Sequence, residues 1–406
     1  MNNFMIPIAL SGDRTYNKDT IRRYVMEGAC IIPGSSTIHF DEISKKRIFQ
    51  SIDNVTTTKK LLQDKYMILK NRIGRVPSIL DFYEYGEIDP ILFINYAKTY
   101  DRFVRMVDKD YTITFNSDEE AILEFVSSLL INGKRPHELL MLRMLMKGLE
   151  INKDSFTREL ESVGETYKEE DFKFALRVLG KDFVNTQSEK NKYQNIEFLD
   201  KQDIEHNSQK QITRAVTFYS KLSEMNFKTE LNNLIEYSLR KYEDQYIGHD
   251  EDNLVLYQKY SRKDVCRILN WEKDDSSTIY GYRIKYNTCP IFVTYEKKED
   301  ISSSTKYEDQ FINNRIFSWM TRSKVSEKST EAQELINSKQ NGLKVYLFIK
   351  KSDGEGSDFY YMGKVNPIEW TETTIINDKG HTLPIMNFKM ELEHEVRNDI
   401  YDYFTQ

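Results

Sequence analysis

Cysteine is scarce in this 406-residue chain: Cys30, Cys266 and Cys289 stand far apart, which excludes a disulfide framework and any Cys-x-x-Cys metal site. Glycine (16) and proline (8) are few as well, which argues against a fold built around phosphate-cradling loops. Neither Gly-x-x-x-x-Gly-Lys-Ser/Thr nor Gly-x-Gly-x-x-Gly occurs, and Gly354-Glu355-Gly356, set among acids, reads as a hairpin turn. His-Glu-x-x-His and Gly-x-Ser-x-Gly are missing too. The histidines (His39, His137, His206, His249, His381, His394) are scattered without metal-ligand spacing. No metal, cofactor or catalytic residue is therefore expected, and no enzymatic activity for this chain alone. A transmembrane helix is not expected either, because nowhere do 18 apolar residues run together. Met1 to Pro7 has neither a basic region nor a small-residue cleavage site, so a signal peptide is not expected and a cytoplasmic location is.

What the chain has in quantity is aromatic surface: 26 Tyr and 22 Phe help bring aromatics to 13%. With 39% hydrophobic and 30% charged residues it is too apolar for a disordered protein, and its length suits two to four domains. The net charge of −6 is unevenly spread: residues 261–350 hold 16 basic against 12 acidic, and 351–406 hold 5 against 11. A basic segment inside an acidic protein is where a polyanion docks most readily.

The apolar pattern divides the chain. Residues 4–10 read as a strand, 13–28 as a helix, and 41 to about 245 as helical almost throughout. Leu61, Leu62, Tyr66, Ile68 and Leu69 recur at helical spacing, and Pro77 and Pro136 sit at helix starts. Residues 183–207 are polar and weakly periodic, which predicts a linker or an irregular joint. After 255 the period shortens. Runs at 277–286, 290–295, 343–350, 359–365 and 385–392 are β-branched and aromatic, with a helix at 261–269 and another at 329–340. The expected class is α+β: a helical region, 41–250, followed by a mainly-β barrel-like domain, 255–406.

The segment from Lys306 to Lys324 has the most distinctive chemistry. Rings with interleaved cations suit an unstacked base: the ring stacks, a carboxylate accepts from an exocyclic amine, and Arg or Lys holds phosphate. Candidate base-binding residues are Tyr307 and Trp319 for stacking, Asp309 for the Watson–Crick edge, and Tyr282. Tyr280, Tyr282 and Tyr286 share one face of a predicted strand. Arg315, Arg322 and Lys324 are candidate phosphate contacts. The same residue types also allow a plainer arrangement, with the rings in the core and Asp309 capping a turn. Lys134-Arg135-Pro136-His137 reads as a basic corner, either a contact for a phosphate backbone or, more plainly, a solvated helix start.

Two stretches carry a resemblance. Phe4 to Val25 with Ile32 to Glu42 resembles the segment after the last helicase motif in large bacterial proteins that join a phospholipase-D-type nuclease, a superfamily 2 helicase and a C-terminal recognition region. Tyr260–Asn270, Tyr280–Arg283, Thr305–Phe311, Phe317–Arg322, Leu343–Lys350 and Phe359–Trp370 resemble their C-terminal domain. These are type IV modification-dependent restriction enzymes. The resemblance implies that 1–40 is the end of a second helicase lobe, that 41–250 is a helical coupler, and that 255–406 is an SRA/PUA-like barrel. By implication that barrel flips 5-methylcytosine or 5-hydroxymethylcytosine out of double-stranded DNA. The nuclease and helicase motifs themselves are absent here, so those domains of the same enzyme are the implied partners, with no membrane. The alternative is a structural, protein-interacting region that regulates the motor and has no modified-base pocket.

Overall fold

Leu62, Tyr66 and Leu69 lie one helical turn apart on the first described helix and are all fully buried. The structure, a computed structural model, describes residues 58–85, 88–200, 212–296, 309–376 and 380–405. The expected strand and helix within 1–40 lie outside these, as does Tyr307.

The chain is α+β, as the sequence predicts: helices first, then a curled mixed sheet. It divides into two units. The first holds α1 (Thr58–Ile73), α2 (Ile79–Tyr85), α3 (Ile91–Ala97), α4 (Tyr100–Val107) and α5 (Ser117–Leu129), together with residues 221–238. Its core is aromatic: Phe93 lies 4.7 Å from Phe82 and 4.6 Å from Phe103, and Tyr66 packs edge-on to Phe103 at 6.1 Å. A capping box between Asn116 and Glu119 fixes the start of α5.

The second unit comprises 133–220 and 239–406. Its helices α6 (His137–Lys147), α7 (Lys153–Glu161), α8 (Glu169–Leu179), α9 (Gln187–Tyr193) and α10 (Val216–Lys221) precede α11 (Met225–Gln245), whose C-terminal part belongs here. α6 is apolar nearly all round and buried accordingly, from Leu139 to Leu145. Of the two alternatives at 183–207, a linker or an irregular joint, the linker is corrected over the described part. Phe183, Val184, Tyr193, Ile196 and Phe198 are buried, and α9 starts from a Thr186 cap. Irregular spacing hid this packing from a periodicity reading.

The strands are β1 (Lys259–Tyr260), β2 (Thr288–Thr294), β3 (Gln310–Phe311), β4 (Ile316–Met320), β5 (Lys344–Lys350), β6 (Phe359–Ile376) and β7 (Thr382–Leu392). Their order is β2-β5-β6-β7-β4-β3, with β1 beside β6; β2 and β5 are parallel and the other pairs antiparallel. β6 is long enough to serve two neighbours, pairing with β5 in its first part and with β7 in its second. Register shifts at Leu347/Phe348 and at Pro367/Glu369 bend it, which is what curls the sheet. Gly363 faces the first shift at φ 108°, where a side chain would be strained and a Cβ would come within 3.2 Å of Leu256.

Between them lie α12 (Arg262–Ile268), α13 (Thr330–Ile336) and α14 (Ser338–Asn341), and α15 (Asn398–Thr405) ends the chain. The strand predicted at 277–286 is not one. Gly281 turns the backbone at φ 80°, and only isolated bridges form, Tyr280 to Tyr282, Tyr282 to Ile291 and Lys285 to Thr288. Tyr280 is exposed and Tyr282 buried, so the three tyrosines do not share a face. Residues 310–311 and 316–320, outside every predicted strand run, supply β3 and β4.

Candidate nucleic-acid interface

β4 alternates as a half-buried strand should, with Phe317 and Trp319 inward and Ile316, Ser318 and Met320 less buried. In register across β7 and β6, Trp319 lies opposite Phe388, and Phe388 opposite Trp370. Registered partners share a sheet face, so these three rings form a row across three strands. Trp319 stacks on Phe388 with centroids 5.8 Å apart and planes 29° apart. The row changes character along its length: Trp319 and Phe388 are buried, whereas Trp370 is 37% exposed.

Tyr282 closes the inner end, standing edge-on to Trp319 at 4.9 Å and 87°. Its hydroxyl donates to Glu331 Oε2 at 3.0 Å; burial together with the Glu331 charge pushes the phenol well above its ordinary range. Glu331 is also ion-paired with Arg322, whose guanidinium lies 5.2 Å from the centre of the Tyr282 ring. One carboxylate from α13 thus fixes both a ring and a cation.

The sequence-derived candidates therefore fall as follows. Tyr282 and Trp319 lie in the packed interior, engaged with each other and with Phe388. Asp309 accepts the backbone N–H of Met320 at 2.8 Å, tying the entry of β3 to the end of β4. Arg315, half exposed, sits 3.3 Å from Glu391. Lys324 is exposed, with a left-handed backbone (φ 74°) held by its N–H donating to the Pro384 carbonyl at 2.8 Å. Arg315 precedes β4 and Arg322 and Lys324 follow it, so the three cations bracket the strand that carries Trp319.

Trp370 and Phe388 were not singled out from the sequence. The alternation Phe388, Met390, Leu392 marks an inward face, but the partnership of Trp370 with it depends on the shift after Pro367. The basic corner at 134–137 is a correction: Lys134, Arg135 and His137 are buried, and Lys134 pairs with Asp264 at 2.7 Å. Cys266 and Cys289 are buried free thiols, which burial pushes far above their ordinary range, so they pack rather than react. Among the described residues no group of three or more His, Cys, Asp or Glu could hold a metal ion. None of the described helices is long and apolar enough to cross a membrane.

Comparison with known proteins gives the following. Residues 254–404 match the family model described as Domain of unknown function (DUF3427), and residues 62–245 match Domain of unknown function (DUF8090). No curated protein matches the chain. Among solved structures, the sulfur binding domain and SRA domain of ScoMcrA complexed with phosphorothioated DNA is similar at 8% identity over 66% of this chain and 87% of that one, with a TM-score of 0.24. KRYPTONITE in complex with mCHG DNA and SAH is similar at 8% identity over 45% of this chain and 41% of that one, TM-score 0.23. The type IV phosphorothioation-dependent restriction endonuclease ScoMcrA is similar at 8% identity over 75% of this chain and 61% of that one, TM-score 0.24.

Proposed function

We propose that this chain is the recognition portion of a type IV restriction enzyme of the SauUSI kind, and that its C-terminal sheet reads double-stranded DNA carrying a modified cytosine. The observation that carries the reading is the aromatic row Trp319–Phe388–Trp370 on three registered strands, bracketed by Arg315, Arg322 and Lys324. A flipped base needs a ring to stack on and cations to hold the distorted backbone. In this reading Trp370 offers the accessible ring, while Trp319, Phe388 and Tyr282 hold it rigid from behind. Arg315 and Arg322 exchange their carboxylate partners for phosphate oxygens on binding. Asp309 and Tyr307 keep the base-reading and stacking roles that their chemistry suggests. The helical region couples recognition to helicase and nuclease domains of the same enzyme, so that DNA bearing 5-methyl- or 5-hydroxymethylcytosine is restricted; the chain itself cuts nothing.

A second reading draws on the acids of 351–406 and on Ile368, Trp370 and Ile376, which are exposed along β6: the arm made by β6 and β7 would bind a protein and regulate the motor. One experiment separates the two. Matched duplexes carrying methyl-, hydroxymethyl- or unmodified cytosine are titrated with the full chain in a gel-shift assay. The proposal expects tighter binding to a modified duplex, and a loss of about 1–3 kcal/mol of that binding in Trp370→Ala, with Trp370→Phe near wild type. Equal affinity for all three duplexes overturns it in favour of the second reading.

A further inference from the structure

Arg262 opens α12 in the run Ser261-Arg262-Lys263-Asp264, where every other residue is committed to a partner. Ser261 and Asp264 form a capping box; Lys263 reaches Glu189 at 2.7 Å and Asp274 at 3.4 Å; Asp264 binds Lys134 at 2.7 Å. One turn on, Arg267 binds Glu138 at 3.1 Å. The Arg262 guanidinium has no hydrogen bond and no ion pair among the described residues, and its Nε is shut off from solvent. What it has is aromatic: its centre lies 5.2 Å from the Phe292 ring and 4.9 Å from the Phe359 ring. Phe292 is itself stacked on Phe348 at 4.9 Å and stands edge-on to Phe359 at 5.1 Å, so the cradle is rigid. Lys350 brings a second cation to the same Phe359 ring at 4.9 Å, bound to Asp353 at 2.9 Å.

A partly desolvated cation without an acid is costly, and proteins normally pair it. Burial pulls this guanidinium below its ordinary range, with only the more distant Asp353 acting against that. Ring contacts offset part of the cost and restrain the side chain. They occupy the face of the guanidinium and leave its N–H edge, the part that grips two oxygens of one phosphate, without a partner.

We propose that Arg262, with Lys350 beside it on the Phe359 ring, is a phosphate-binding site that takes a phosphodiester of the DNA backbone. This inference rests on the DNA-binding reading above and adds a contact outside the Lys306–Lys324 segment. Being a backbone contact, it adds affinity without discriminating between bases. The test uses the full chain as wild type, Arg262→Met, which keeps an apolar stem against the rings without the charge, and Arg262→Lys. Each is titrated onto modified and unmodified duplexes at a series of salt concentrations, with folding followed by circular dichroism. Arg262→Met should lose about ten-fold in affinity for both duplexes alike, and the slope of log affinity against log salt should fall by about 0.9. Arg262→Lys should recover most of both. Arg262→Gln serves as the neutral variant should Arg262→Met unfold the chain. Wild-type affinity and slope in a folded neutral variant overturn the proposal. The two ideas fail separately: a wild-type chain that binds both duplexes equally overturns modification reading, while the change in slope still decides the role of Arg262. No binding to either duplex overturns both.

Discussion

His249 shows how one side chain sets a pH dependence. It closes the turn after α11, its Nε2 lies 2.7 Å from Glu165 Oε1, and its Nδ1 lies 2.7 Å from the Asp250 carbonyl. As an imidazolium it donates to both. Burial pulls its pKa down, but the bonds to Glu165 and Asp250 outweigh that and the net shift is upward. Glu165 moves the other way: burial raises it, the bonds from His249 and Tyr242 lower it further, and the net shift is downward. The raised histidine contributes stability that is complete below its unfolded value of about 6.5 and is lost as pH rises through the folded value. The lowered carboxyl contributes stability that is present above about 4.5 and is lost as pH falls through its folded value. The pair is therefore strongest between those limits. Urea midpoints measured at about pH 6 and about pH 9 should fall on the alkaline side in wild type and move much less in His249→Ala. At the lower pH that variant should be destabilised by about 1–3 kcal/mol, because it leaves a mostly buried carboxylate without its cationic partner. Identical pH profiles would sink the assignment.

Helices α6, α8 and α12 are held by charge as much as by apolar packing. Arg135 is fully buried and donates to the Arg267 carbonyl at 2.9 Å, to Asn270 at 2.7 Å and to the Asp171 carbonyl at 3.0 Å. Arg267 and Glu138 pair in the same interior, and His137 is kept neutral there, its pKa pushed down to about 3 by burial and by the Arg135 charge. Breaking such a group strands a charge in low dielectric, so Arg135→Ala should cost about 3–5 kcal/mol by urea denaturation. Arg397→Ala, which removes an exposed pair with Asp399, should cost under about 1 kcal/mol. Comparable losses in the two variants would count against a buried network. The same residues mark where sequence reading stops. The spacing of Leu62, Tyr66 and Leu69, and the caps at Asn116 and Ser261, are local signals, and the helices they specify were legible. Asp264, Arg267 and Asn270, which bind Lys134 and Arg135, lie about 130 residues away, so Lys134, Arg135 and His137 around Pro136 looked like surface. The candidate site was half legible for a related reason. Residue type and neighbouring cations singled out Trp319, but its inward face belongs to a strand, β4, that was not predicted, and the one exposed ring of its row depends on a bulge in β6 that no local pattern announces.

At the scale of the whole chain, the two family matches part between residues 245 and 254, whereas the second unit also takes in 133–220. The difference has a physical content. α12 meets α6 through Lys134–Asp264 and Arg267–Glu138, meets α9 through Lys263–Glu189, and the backbone N–H of Asp274 donates to the Phe183 carbonyl at 2.8 Å. A segment cut at residue 254 keeps Asp264 and Arg267 but loses Lys134, Arg135 and Glu138, so two buried charges meet water or each other instead of a partner. Residues 254–406 alone should therefore fail to give a cooperative thermal transition, whereas residues 133–406 should melt in one step. A dispersed NMR spectrum and a single sharp transition from 254–406 would show that the sheet stabilises itself and that the ion pairs only decorate it. Any assay of the proposed DNA binding depends on this outcome, because a fragment that carries β4, β6 and β7 can test the proposal only if it folds.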